Sequence, residues 1–279
     1  MSKPHIIKED GAQEPFDADK LCYSLEESGA SPKLASQVCQ AIAQKITPGA
    51  NTTQIYRQAL GYLIREDLET SARYSLRRAV SALGPAGFLF EQFLEAVLQA
   101  HGYETERNVI VQGRCISHEI DVIARKDAME CYIEAKYRNE AGKKTHIDTV
   151  MYADARLIDI ASHHKDQKFD EYHHQMWVIT NTKFTDKAIQ YGKCRRMRLI
   201  GWNYPGQDNL AQMIVSHKLY PLTVLPTISP FERERFAEKG LVLVRDLLPL
   251  GEEGLINDIG IPPQIAERVM SEAKELVHS

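Results

Sequence analysis

The stretch HEIDVIARKDAMECYIEAKY, His118 to Tyr137, decides how the middle of the chain folds. Apolar and polar residues alternate on either side of RKDA, which is the signature of a hairpin with strands near 118–125 and 130–137. A hairpin does not call for the charge found inside this one. Asp121 sits between Ile120 and Val122, and Glu134 and Lys136 flank Ala135. A strand facing a core rarely carries ionisable groups unless they are paired, bind a metal or do chemistry. Glu134 and Lys136 are two apart and share a face, and antiparallel pairing lets Asp121 approach that face from the neighbouring strand.

Two carboxylates converging with a lysine suit phosphodiester cleavage. Mg2+, or Mn2+ in its place, takes one or two protein carboxylates, keeps several waters and draws further oxygens from a phosphate. A lysine beside it can orient or deprotonate the attacking water and support negative charge in the transition state. The same three residues can equally form a plain ion pair on a solvated sheet face. Glu119, on the face of Asp121, is either an auxiliary ligand or simply solvated.

Working outward, FLFEQFLEAVLQAHGY from Phe88 has the 3.6-residue period of an amphipathic helix and carries Glu91. After the hairpin come a helix near 146–162, the buried strand QMWVIT, the helix TDKAIQYGKC and the strand MRLIGW. Strands alternating with helices after an initial hairpin indicate an α/β layered domain with a mixed sheet. This order resembles the restriction-endonuclease-like nucleases of the PD-(D/E)XK type, especially their Mrr-like branch. The residues that carry the resemblance are FEQFLEAVLQAHGY, HEIDVIA, YIEAKYRN, MWVITNTKFTDKAIQYG and RLIGW, over roughly 88–203.

The resemblance implies a metal-dependent endonuclease of restriction or defence type acting on double-stranded DNA. Asp121 and Glu134 match its metal carboxylates, Lys136 its catalytic lysine, and Glu91 the acidic residue of its first helix. Two departures stand out: Glu134 replaces the glutamine of many Mrr-like members, and ISHEID replaces a glycine-rich approach to the aspartate. The retained charges favour an enzyme. The alternative is a nucleotide-responsive DNA-binding regulator on a catalytically inactive nuclease fold.

Ahead of this domain, HIIK at 5–8 reads as a short strand and EDGAQEPF as a polar turn. A helix follows from the N-cap Asp17 to Gly29, and a second starts at Ser31 with Pro32 in its first turn. Two more helices lie near 52–67 and 69–82. The run IIKEDGAQEPFDADKL through ARYSLRRAV resembles the ATP-cone, a small regulatory nucleotide-binding domain. That likeness implies an adenine nucleotide, ATP or a relative, as effector. Lys8 and Lys20 match phosphate contacts, Glu14 and Asp17 residues near ribose and base, and Thr53 the start of the third helix. Glu9 stands where members commonly have a second basic residue. ATP-cones act by changing assembly, so a homo-oligomer is expected. A dimerisation module without nucleotide is the alternative.

GPAG, Gly84 to Gly87, punctuates the boundary, so the expected domains are 1–86, 87–205 and 206–279. Beyond Pro221 the chain breaks into short helices. LTVLPTISPFERERFAEKGLVLVRDLL and LINDIGIPPQIAERVMSEAKEL resemble paired helix–hairpin–helix units, with IGIPP as the hairpin, although packing or oligomerisation would explain them as well.

With net charge −4 and no strongly basic segment, any nucleic-acid contact must come from local patches or metal ions. KCRRMR, Lys193 to Arg198, is one such patch, or else a solvated helix end. The four histidines 163, 164, 173 and 174 flank a polar loop without the pairing of a metal site. No apolar run suits a membrane, and MSKPHIIKED lacks a signal core, so a cytoplasmic location is expected. Cys22, Cys39, Cys115, Cys131 and Cys194 are odd in number and scattered, so reduced thiols are expected.

Overall fold

The structure, a computed structural model, describes residues 4–8, 11–84, 87–140, 142–166 and 173–278, leaving aside the side chains of 164–166. Pro85 and Ala86 of GPAG, Glu9, and most of the loop between the histidine pairs lie outside the described residues. The chain divides into two compact units, residues 1–79 with 222–279, and residues 80–221.

The first unit opens with an antiparallel hairpin of β1 (His5–Ile7) and β2 (Gln13–Pro15). The polar turn expected at EDGAQEPF therefore contains a strand. Its polarity hides it because only Ile6 and the following Phe16 are buried there. Asp17 caps α1 (Ala18–Glu27), accepting the N–H groups of Asp19 and Lys20. Ser31 caps α2 (Pro32–Lys45), and Asn51 forms a capping box with Gln54 at the start of α3 (Thr52–Glu66). With α4 (Leu68–Ser81) these helices follow the predicted order. Leu25, Val38, Ile42, Ala59 and Leu63 fill the core of the hairpin and the first three helices.

One expectation fails in this unit. Cys22 and Cys39 form a disulfide between α1 and α2. Their distance in sequence hid the pairing, but two helices folded back on each other bring the Cα atoms to 5.7 Å, well inside bridging range.

The second unit is a mixed five-stranded sheet between helices. After α5 (Phe88–Ala100) come β3 (Glu104–Gln112), β4 (Ser117–Lys126), β5 (Met129–Lys136), β6 (Lys144–Thr145) and α6 (Ile147–Asp166). The rest comprises β7 (His173–Thr180), β8 (Lys183–Phe184), α7 (Asp186–Cys194), β9 (Arg198–Ile200) and α8 (Leu210–Ser216). The strand order is β3-β4-β5-β7-β9, with β6 and β8 as a separate parallel pair. β3, β4 and β5 run antiparallel, whereas β5, β7 and β9 run parallel. The central strands are covered on both faces, which is why Cys131–Ile133 and Met176–Ile179 are unbroken buried runs. Phe90, Phe93, Leu94, Val97 and Leu98 of α5 are buried, and Val150 and Ile160 of α6 join Tyr132, Met176 and Val178 in one core.

The remainder of the first unit is α9 (Pro230–Glu238), α10 (Gly251–Asn257) and α11 (Pro263–His278). The chain leaves α9 through Gly240 and reaches α11 through Gly260, both at positive φ. Arg235 donates to the carbonyl of Gly260, and a side chain at 260 would collide with that guanidinium. Among the described residues no helix is long and apolar enough to cross a membrane.

Candidate functional site

The opening charges meet at the carboxyl end of β5. β4 and β5 pair from Lys126↔Met129 up to Val122↔Ile133 and then part. Had the ladder continued, Asp121 would lie opposite Glu134. Instead the Asp121 carboxylate turns in and its Oδ2 accepts the N–H of Ala135 at 2.7 Å. On its other side the β3–β4 register passes from Arg107↔Val122 to Val109↔Ile120, skipping Asn108, which is left-handed at φ 54. Asparagine tolerates that conformation better than most residues. Asp121 thus sits where regular pairing is interrupted on both flanks.

β5 carries two glutamates in opposite conditions, Glu130 buried and Glu134 half-buried. Glu130 takes hydrogen bonds from Arg125 Nε at 2.5 Å and the Tyr132 hydroxyl at 2.7 Å, with His174 3.3 Å away. Burial pushes its pKa up, but the nearby His174 and the hydrogen bonds from Tyr132 and Arg125 outweigh burial and bring it down to about 2. Among the described residues Glu134 takes a hydrogen bond from Arg156 Nη1 of α6 at 2.7 Å. Burial pushes its pKa up and Asp121 adds to the rise, against the pull of Arg156 and Lys136. A satisfied carboxylate has a structural role; one kept under electrostatic tension is a candidate for chemistry.

The other carboxylates share this tension. Asp121 is raised by burial, partly offset by the Ala135 amide and the Arg156 and Lys136 charges. Glu91, in the first turn of α5, is raised by burial and then by the negative charges of Asp121, Glu119 and Glu134. Asp121 and Glu134 therefore lie in each other's field, Lys136 acts on both, and both raise Glu91. Glu119 belongs to the same field but is exposed.

Three groups that sequence reasoning did not single out support this end of β5. Thr180, opposite Lys136 on β7, donates its hydroxyl to the Lys136 carbonyl at 2.7 Å and accepts from Thr145 at 3.0 Å. Asn181 brackets Arg138, donating to its carbonyl at 2.6 Å and accepting its N–H at 2.8 Å. Arg156 completes the set. Only the parallel β5–β7 register and the packing of α6 bring these residues in, and no local motif announces either.

Other predicted groups lie elsewhere. His118 Nε2 meets Asp159 Oδ2 at 2.8 Å, and Asp159 also accepts the N–H groups of Cys115 and Ile116, tying the β3–β4 turn to α6. His174 serves Glu130. Within KCRRMR, Arg195 is paired with buried Asp154 and Arg198 lies over the Trp177 ring, so both have structural partners.

Could the site take a metal? Among the described residues no three His, Cys, Asp or Glu side chains form a ready-made cage. Two carboxylates, each with one oxygen free of protein hydrogen bonds among the described residues, suit Mg2+ or Mn2+, which complete their shell with water and phosphate oxygens. The donor set fits.

In the first unit, Glu14 links the two lysines of interest: its Oε2 lies 2.7 Å from Lys8 Nζ and 3.9 Å from Lys20 Nζ. A bridge from Ile7 to Asn51 brings β1 to the start of α3, where Thr53 lies in the first turn. Asp17 is occupied as the cap of α1.

Comparison with known proteins matches three family models along the chain: an ATP cone domain at 4–82, a restriction endonuclease domain at 86–213, and an AF1548-like C-terminal domain at 220–277. An uncharacterized protein of Archaeoglobus fulgidus is 37% identical over 181 residues, covering 65% of this chain and 98% of that protein. The crystal structure of a protein of unknown function, AF1548, aligns with a TM-score of 0.57 at 35% identity, over 69% of this chain and 99% of that one.

Proposed function

The chain belongs to the AF1548-like family and joins an ATP-cone to a restriction-endonuclease domain, and on that premise we propose that it is a Mg2+-dependent DNA endonuclease controlled by nucleotide. The observation that carries the reading is the convergence of Asp121, Glu134 and Lys136 where β4 and β5 part. Half-buried carboxylates held against their own repulsion lower stability, so their arrangement is best explained by chemistry.

Asp121 and Glu134 would hold Mg2+ or Mn2+, which supplies a water of lowered pKa and neutralises charge on the phosphate. Lys136 would orient the attacking water and donate to the phosphate oxygen that gains charge. Thr180 fixes the Lys136 backbone, so the ammonium starts from a defined point. Glu91, whose pKa is raised by burial and then by the charge of Asp121, would exchange a proton more readily near neutral pH than an ordinary carboxylate.

The Arg156–Glu134 pair favours a second reading, a DNA-binding regulator on an inactive nuclease fold, because it occupies one candidate ligand. Incubation with supercoiled plasmid and Mg2+, with and without ATP, separates the two. The nuclease nicks or linearises the plasmid, chelation stops it, and Asp121→Asn, Glu134→Gln and Lys136→Ala are inactive. Binding without any cleavage under all conditions would leave the regulator.

In the first unit, Lys8 and Lys20 would take the phosphates of an adenine nucleotide, with Glu14, Asp17 and Thr53 nearby. Glu14 already pairs with Lys8 and lies near Lys20, so a phosphate would compete with it for both. Nucleotide binding would shift the balance between assemblies that do and do not present paired nuclease sites to a duplex.

A further inference from the structure

Arg156 is the charged neighbour that the reading above leaves without a task. Its side chain and that of Glu134 are only 18% and 13% exposed. Burying an ion pair costs desolvation, which an apolar pair of the same size would avoid. The hydrogen-bonding of the guanidinium is also incomplete. Of its five N–H groups, the protein engages one through Nη1 on Glu134 and one through Nη2 on the Tyr152 hydroxyl at 3.4 Å. Among the described residues its Nε is buried with no hydrogen-bond partner. The face of the guanidinium rests on the Tyr152 ring at 4.5 Å, and that ring is itself exposed.

A structural arginine would use its fork fully. Here the Nε–Nη2 edge, the side-on pair suited to two oxygens of one phosphate, has a single weak partner. Turning that edge outward means releasing Glu134. A divalent cation competing for the Glu134 carboxylate would force that release, because the cation and the guanidinium are of like charge. The Tyr152 face gives the released guanidinium a surface on which to pivot.

We propose that Arg156 is a phosphate-contact residue, holding Glu134 until a divalent cation takes that carboxylate and then donating to a nonbridging oxygen of the DNA phosphate beside the cation. The proposal rests on the nuclease reading of the same site.

The test uses the full chain and Mn2+ alone, titrated by calorimetry into wild type, Arg156→Gln, Arg156→Lys and Glu134→Gln. Arg156→Gln should bind Mn2+ roughly tenfold tighter, since a charge-assisted competitor for Glu134 is gone. Arg156→Lys, which keeps a cation, should stay nearer wild type and carries the test if the glutamine variant does not fold. Binding of a short duplex is then followed against salt with Mn2+ present, each variant also carrying Lys136→Ala to keep the duplex intact. Arg156→Gln should reduce the slope of log affinity against log salt by about one phosphate contact. Unchanged or weaker Mn2+ affinity in Arg156→Gln, or an unchanged salt slope, overturns the proposal. If Glu134→Gln binds Mn2+ as wild type does, the nuclease reading itself has failed. If Glu134→Gln loses Mn2+ and Arg156→Gln matches wild type, only the role of Arg156 is lost.

Discussion

The carboxylate of Asp121 accepts the N–H of Ala135, the residue between Glu134 and Lys136, at 2.7 Å. One side chain thereby replaces the backbone pairing that ends at Val122↔Ile133 and locks the candidate acid to the strand bearing the other two groups. An asparagine at 121 presents an amide oxygen to the same N–H. Asp121→Asn should therefore fold as wild type while losing Mg2+-dependent cleavage below detection, with duplex affinity kept or increased because a phosphate-repelling charge is gone. Plasmid nicking and fluorescence anisotropy on the same preparation check both halves.

The hydroxyl of Thr180 donates to the carbonyl of Lys136. Thr180→Val leaves that buried acceptor unsatisfied, which costs about 1–3 kcal/mol of local order. We expect kcat to fall roughly tenfold or more with KM nearly unchanged, since the lysine is displaced and the DNA surface is not. Thr180→Ser keeps the hydroxyl and should recover most of the activity. Equal loss in both variants would show that the hydroxyl is not what matters.

Glu91 sets a pH dependence. Burial and the neighbouring carboxylates raise its folded-state pKa above the ordinary 4.5. A group raised in this way binds its proton more tightly in the native state, so its contribution is favourable at low pH. That contribution fades as pH rises from the ordinary value through the raised one. Glu91→Gln removes the charge and should melt about 2–4 °C higher than wild type at neutral pH, the shift expected for a change near 1 kcal/mol in a domain of this size. The difference should shrink as the pH approaches 4.5. Thermal melts across this range decide it, and added Mg2+ should stabilise wild type more than the variant.

In the first unit, Lys20→Ala removes one of the two cations that face Glu14. Adenine-nucleotide affinity should drop by about 1–2 kcal/mol, the scale of one charge-assisted contact. Any change in mass seen by light scattering on adding ATP, ADP or dATP should weaken with it. If none of these nucleotides binds wild type by calorimetry, the unit is a dimerisation or packing module.

What the sequence makes legible here is local. Asp17 and Ser31 announce their helices because a cap acts over three residues, and Pro32 is suited to a first turn. Asp121, Glu134 and Lys136 are conspicuous because charge inside a strand is expensive. What stays hidden depends on distant segments meeting. Arg156 reaches Glu134 from a helix beyond the hairpin, and Thr180 reaches Lys136 only through a parallel register that no turn specifies. The pairing of Cys22 with Cys39 is hidden for the same reason: spacing in sequence says little about two helices folded against each other. Glu130 carries as much buried charge as Glu134, and only its three partners in space reveal it as a structural residue.

Residues 1–79 and 222–279 make one unit around everything between them, and the Thr223 hydroxyl donates to the carbonyl of Ala79 at 2.7 Å. The chain thus departs from this unit and rejoins it at almost the same point. On the ribosome residues 80–221 are complete before the last part of the earlier unit exists, so a message truncated late yields a whole five-stranded sheet attached to an unfinished first unit. The same closeness means that a short turn can replace residues 80–221 without stretching the unit from which they emerge.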